Sequence, residues 1–245
     1  MINKYSQLSV IVISKDDPDG LIRTIRSVEA QSLPPLEIIV VAAGLSQLAK
    51  SNVIKNEIAS FYHDSGNGIS SAFNFALRAT SGLWVNFLNG GDSYSNNDVL
   101  NRFLFISRAS PHAAIITGIA VDTKSSIKIP REKDFRRKNV PLISHQASFF
   151  KKDLFIKFGG YSEFLRCRMD YEWMLRLPTS IHVEWTKEVL VNFEGGGISS
   201  THPFLSSKEE FIAMRIHHLN WQQFTKLILL KFPFRLLRHV VKKFA

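Results

Sequence analysis

The chain has 245 residues, 45% hydrophobic and 21% charged, which supplies a core for one large domain and excludes global disorder. Its net charge of +10 is unevenly placed: residues 211–245 hold seven Lys/Arg and no acid, while residues 1–210 hold 24 Lys/Arg against 21 Asp/Glu. A single cysteine, Cys167, excludes an intramolecular disulfide and a cysteine-based zinc site, and suits a reducing compartment.

Leu8–Ile13 reads as a buried first strand. It is too short for a secretory signal and is followed at once by Lys15-Asp16-Asp17-Pro18. That run caps a helix with proline in its first turn, and Leu21, Ile22, Ile25 and Val28 form the apolar face. Pro34-Pro35 leads to a second buried strand, Glu37–Val41, so the two strands should be parallel with a right-handed crossover. A strand near Ile58–Tyr62, a helix with Ile69, Ala72, Phe73, Ala76 and Leu77 on one face, and a strand over Leu83–Leu88 repeat the arrangement. The pattern predicts an α/β fold with a mostly parallel central sheet flanked by helices, its loops at the carboxyl ends of the strands.

The second half is less regular. Ala114–Val121 and Ser126–Ile129 read as a hairpin or meander, His145–Phe150 as a strand, and Lys152–Phe158 as a short helix ended by Gly159-Gly160. Met169–Leu177 reads as a helix ended by Pro178, Ile181–Trp185 and Val189–Phe193 as two strands, and Gly195–Ser199 as a flexible loop. One boundary is expected near 207, separating a domain over 1–207 from a basic helical tail over 208–245. No GxGxxG or GKS/T motif occurs, which argues against dinucleotide and P-loop sites. No stretch reaches the ~20 apolar residues needed to span a bilayer.

The fourth strand ends abruptly in Asn89-Gly90-Gly91-Asp92. These residue types form ordinary surface turns. They also suit a ligand site: glycines allow close backbone approach, and an acid at a strand's carboxyl end sits where α/β sheets bind ligands.

Taken in order, "SVIVISKDDPDG", "DSGNGISSAFNFALRATSGLWVNFLNGGDSY", "PLISHQASFF", "GGYSEFLRCRMDYEWMLRL" and "FEGGGISS" resemble the family 2 glycosyltransferases of GT-A fold, over residues 8 to about 215. The likeness is to bacterial members that build exopolysaccharide, capsule or O-antigen units. It implies an inverting transfer from a nucleotide diphosphate sugar to a saccharide acceptor, carried on a polyprenyl diphosphate. It implies Asp92 as the ligand of a divalent metal, Mg or Mn, with Asn89 and Gly91 standing where many relatives carry further aspartates. Backbone at Gly90 and Gly91 would approach the diphosphate. Asp170 falls where the family places its catalytic base; the same position would suit a helix cap. Ser14, Lys15 and Asn74 match the nucleotide-sugar side; Ala42-Ala43-Gly44 replaces the usual aspartate after the second strand, Gly66 stands where an aspartate is often found before Gly68, and nearby Asp64 is the remaining contact to the nucleoside. His145, Gln146, Arg176, Gly196 and Ser199 match positions near diphosphate or acceptor. Glu172 reads as structural, with Arg176 pairing to it, to Asp170 or to phosphate. Arg131, Arg136, Arg137 and Lys138 read as a solvated charge run or as a phosphate contact.

In the tail, Phe234, Leu236, Leu237, Val240, Val241 and Phe244 fall on one helical arc, and Arg235, Arg238, His239, Lys242 and Lys243 on the other. This pattern suits an interfacial membrane helix, or a helix packed on the body. It gives the expectation of a cytoplasmic protein held peripherally on the inner face of the plasma membrane. A non-catalytic binding relative is the alternative function. A nucleic-acid binder is disfavoured by the near-neutral body.

Overall fold

The computed structural model describes residues 7–44, 59–129, 143–195 and 197–218, with 225, 229 and 233 as single positions. The strands are β1 (Leu8–Lys15), β2 (Glu37–Ala43), β3 (Ala59–His63), β4 (Trp84–Asn89), β5 (Ser93–Tyr94), β6 (Ile115–Asp122), β7 (Lys128–Ile129), β8 (Ser148–Lys151) and β9 (Val183–Phe193). The helices are α1 (Pro18–Glu29), α2 (Ile69–Ala79), α3 (Val99–Ala109), α4 (Asp153–Phe158), α5 (Met169–Leu175), α6 (Ile198–Thr201) and α7 (Pro203–Ile216).

The strands form one sheet in the order β3-β2-β1-β4-β8-β6-β9-β5, with β7 beside β6. β1 pairs in parallel with β2 and β4, and β2 with β3. The short β8 is antiparallel to both β4 and β6, so β6 again runs in the direction of β4. β9 is parallel to β6. Six strands therefore release their carboxyl ends at one edge of the sheet, the edge where such folds place ligands.

The alternation in β1 explains its burial on both faces. Val10 and Val12 pack with Leu21, Ile25 and Val28 of α1 and Phe103 of α3. Ile11 and Ile13 pack on the other face with Phe73, Ala76 and Leu77 of α2. The second face continues into an aromatic cluster in which Phe155 stacks on Trp173 at 4.2 Å. Asp17 caps α1, accepting from the Gly20 N–H at 2.8 Å, as the Asp-Pro start predicts.

The structure departs from the sequence reading in several places. The helix α3 was not anticipated. The two strands expected over 181–193 are one strand, β9, whose register against β6 slips between Thr117 and Ala120. Gly118 permits that slip, because a Cβ there would lie 2.5 Å from Leu190 Cδ1. His145 and Gln146 lie in a turn before β8 rather than on a strand. The boundary drawn near 207 falls inside α7, which packs against α5 and buries Glu209 and Glu210. Among the described residues, no helix is long and apolar enough to cross a membrane. Gly196, the run Arg131–Lys138 and the amphipathic stretch 234–244 lie outside the described residues.

Candidate functional site

The turn after β4 is built by local bonds and one bolt to α1. Gly90 N–H donates to Ile13 O at 2.8 Å. A Cβ on Gly90 would stand 2.7 Å from Ser14 Oγ, so only glycine lets this turn lie against the end of β1. Gly91 takes φ +96°, and its N–H donates to Thr24 Oγ1 at 3.0 Å. Thr24 Oγ1 in turn lies 3.1 Å from Asn89 O. Asp92 then folds back on the strand end. Its Oδ2 accepts from Asn89 N–H at 2.8 Å and from Asn89 Nδ2 at 3.2 Å. Asp92 is buried, and among the described residues its Oδ1 has no hydrogen-bond donor. Burial pushes its carboxyl pKa up to about 7; the Asn89 donors oppose this and the Glu194 charge adds to it. The motif is thus a turn and a cavity wall at once.

The second acid arrives by a different route. Asp170 lies in the first turn of α5, where its Oδ1 accepts from the Tyr171 N–H at 2.8 Å, while the N-cap position belongs to Arg168. The carboxylate also lines a cavity of about 640 Å³ whose wall includes Asp92. His145 lines the same cavity, stacked on Phe87 at 4.8 Å with its Nε2 2.7 Å from Tyr161 Oη. Burial pulls the His145 pKa down to about 4, against the pull of the Asp170 charge, so the imidazole is neutral near pH 7. Gln146 lines the same cavity, and its carbonyl accepts from Asn86 Nδ2 at 2.8 Å.

The cavity brings together Asn89, Gly90, Asp92, His145, Gln146, Asp170 and Ser199 of the expected residues. Ser14, Lys15 and Asp64 stand outside its wall on the same sheet edge. Ser14 Oγ donates to Asp17 O at 3.1 Å, and Lys15 is exposed at the end of β1. Asp64 Oδ1 closes a turn by accepting from Gly66 N–H at 2.9 Å, and its own N–H donates to Ala42 O. Asn74 and Arg176 are directed elsewhere. Asn74 clamps Tyr161 through both its N–H and its carbonyl, at 2.7 and 2.8 Å. Arg176 is bound by Glu172, Ser162 Oγ, Phe158 O and Gly160 O. Glu172 is buried and also bonded to His217 at 2.8 Å, so its structural reading fits. These bonds saturate both side chains, which is why neither reaches the cavity.

Two acids in the wall were missed. Asp122 ends β6, and Glu194 follows β9, where Arg23 pairs with it at 2.8 Å. The rule that singled out Asp92, an acid at the carboxyl end of a strand, would have found both. Lys124, Arg166 and Arg168 add positive charge to the same wall. Among the described residues, no group of three or more His, Cys, Asp and Glu side chains is placed to hold a metal ion by itself. The donorless Oδ1 of buried Asp92 is a hard oxygen suited to one bond from a divalent cation.

Residues 9–168 match the family model described as Glycosyl transferase family 2. An uncharacterized glycosyltransferase of Mycobacterium tuberculosis (strain ATCC 25618 / H37Rv) is 29% identical over 203 residues, covering 79% of this chain and 77% of the relative. One from Rickettsia typhi is 24% identical over 240 residues, covering 91% and 73%. Among solved structures, S. aureus TarS 1-349 in complex with UDP-GlcNAc matches with a TM-score of 0.70 at 15% identity, over 93% of this chain and 72% of that one. The mannosyltransferase PcManGT from Pyrobaculum calidifontis, in complex with GDP-Man and Mn2+, matches with a TM-score of 0.65 at 16% identity, over 96% and 73%. At these identities the structures establish the fold, which is the GT-A architecture.

Proposed function

This chain belongs to glycosyl transferase family 2, and from that premise we propose that it transfers a sugar from a nucleotide diphosphate sugar to a saccharide acceptor with inversion at the anomeric carbon. The observation that carries the reading is that two of the four carboxylates lining one cavity differ in character: Asp92 is buried behind the strand-end turn, and Asp170 lies in the first turn of α5. TarS and PcManGT are solved with UDP-GlcNAc and GDP-Man, which supports a sugar nucleotide as donor.

In this reading Asp92 and the Gly90-Gly91 backbone receive the diphosphate, and Asp92 Oδ1 is the residue atom that would hold a divalent cation there. When bound, the cation would neutralise charge on the departing diphosphate. Ser14, Lys15 and Asp64, along the ends of β1 and β3, receive the nucleoside. Asp170 takes the proton of the acceptor hydroxyl as that oxygen attacks the anomeric carbon. One carboxylate in that role, with no second acting as nucleophile, gives inversion. Neutral His145, with Gln146 and Ser199, borders the acceptor. A polyprenyl-diphosphate-linked acceptor, a role in bacterial surface polysaccharide synthesis, and contact of the basic tail with the inner membrane face complete the proposal. The tail's segregated charge supports that last element.

The test is a thermal-shift and hydrolysis screen of UDP-, GDP- and dTDP-sugars, with and without Mn²⁺. One donor should stabilise the protein. Asp92→Ala should lose that stabilisation, and Asp170→Asn should keep it while turnover falls by about 10²–10⁴. Binding of a donor without turnover by the wild type would favour the non-catalytic relative. Binding of none would end the donor-site reading.

A further inference from the structure

The segment that delivers Asp170 to the cavity has a fixed point outside the cavity. Glu209 of α7 is buried and points its carboxylate at the chain just before α5. Oε1 accepts from Arg166 N–H at 2.8 Å. Oε2 accepts from Cys167 N–H at 2.9 Å, from Arg168 N–H at 3.0 Å and from the Cys167 thiol at 3.3 Å. Four donors from three consecutive residues converge on one carboxylate, and the last of them lies two residues before Asp170. Burial and the adjoining Glu209 carboxylate push the Cys167 thiol up to about 12, so it stays a donor. Neighbouring bonds hold the same segment: Ser70 Oγ donates to Leu165 O at 2.8 Å, and Arg168 Nε to Ser206 Oγ at 2.9 Å.

The first turn of a helix presents N–H groups that need partners, and residues close in sequence usually supply them. Here Arg168, the residue before α5, makes no side-chain cap. The backbone N–H groups just ahead of that turn, at residues 166–168, take their acceptor from a helix about forty residues later. We propose that Glu209 is a positioning residue for the transfer: its carboxylate fixes the 166–168 backbone and thereby the direction of the Asp170 carboxylate. The proposal rests on the reading of Asp170 as base.

The prediction follows from the donor count. Glu209→Gln keeps the shape but turns an NH₂ toward N–H and S–H donors, so at least one of the four bonds becomes a clash of donors. Asp170 then samples several directions. The hydrolysis rate of the best sugar nucleotide from the donor panel should fall at least tenfold, with its dissociation constant within twofold of wild type, because Asp92 is untouched. Glu209→Asp, which keeps both acceptor oxygens one methylene short, should lose less. Cys167, the chain's single cysteine, reports the clamp independently: its reaction with a disulfide reagent under native conditions should quicken at least tenfold in Glu209→Gln. Glu172→Gln is the control for buried carboxylates that hold α5 from outside the cavity, and it should lower the melting temperature without changing thiol reactivity.

The double variant Glu209→Gln/Asp170→Asn should be no slower than Asp170→Asn alone, since one unit has been removed twice. Additive losses, or a Glu209→Gln enzyme with wild-type turnover and wild-type thiol reactivity, would overturn the proposal. If Glu209→Gln does not fold, Glu209→Asp carries the same comparison. If Asp170→Asn keeps full turnover, the base reading itself is wrong, and Glu209 is a structural clamp.

Discussion

Asp92 and Asp170, two of the four acids lining the cavity, are held by opposite strategies. Asp92 is fixed by Asn89, three residues away, with Thr24 as a bolt to α1. Asp170 depends on a turn fixed by Glu209 and on a helix braced by Arg176–Glu172 and by Trp173 beneath it. A site wall made from adjacent residues is rigid wherever its strand is rigid. A wall made from distant residues is only as rigid as the packing that joins them.

The comparison is broken most severely on the Asp170 side. Trp173 is fully buried, and its Nε1 donates to Gly159 O at 2.8 Å. Trp173→Ala should cost about 3–5 kcal/mol in urea unfolding, and at sub-denaturing urea turnover should be lost before the Asp92 end lets go of donor. The next effect belongs to Asp92 and depends on pH. Its folded pKa is raised from 3.8 to about 7, so the folded state binds the extra proton and stability declines as pH rises from about 4 to about 7. His145 acts in the opposite sense. Its folded pKa is lowered from 6.5 to about 4, so its contribution is complete above 6.5 and is lost as pH falls toward 4. The two slopes offset between about 4 and 6.5, and wild-type melting temperature should be nearly flat there. Asp92→Asn should uncover the His145 slope and gain on the order of 3 kcal/mol over wild type at pH 8 without metal. A wild-type profile that rises steeply over that window would contradict the buried-acid assignment.

Thr24→Val keeps the shape of the bolt but strands the Gly91 N–H. It should destabilise by about 1–2 kcal/mol in chemical denaturation and weaken donor binding more than it slows turnover. The smallest effect is expected at Arg23→Ala. Arg23 and Glu194 pair at 2.8 Å, but both are about half exposed, so the change in stability should stay within about 1 kcal/mol by calorimetry.

The same contrast explains what the sequence revealed. β1 through β4 announce themselves through apolar runs and short turns, and the Asn89–Asp92 motif is legible because everything that shapes it lies nearby. The far wall is not. Asn74 and Arg176 have the right chemistry for a ligand, yet partners at Tyr161 and Glu172 claim them. β9 reads as two strands because Lys187 and Glu188 interrupt its apolar pattern at an exposed bulge. The helix α3 buries only Val99, Leu100 and Phe103, while Phe105 stands exposed, which blurs its helical period. Glu209 gives no local signal: its partners lie about forty residues upstream, across a strand and two helices.

The position of Glu209 also sets an order of assembly. A chain that emerges from its amino end can lay down β1, β2, β3 and β4 and close the Asn89–Asp92 turn from residues already made. The segment before α5 must wait for residue 209 before its three backbone donors find their acceptor. A nascent chain, or one nicked ahead of α7, would therefore carry the first wall of the cavity with an unfixed second wall. Such a species would be able to capture a donor before it could direct a proton acceptor at anything, and docking of α7 would be the step that ends this silent interval.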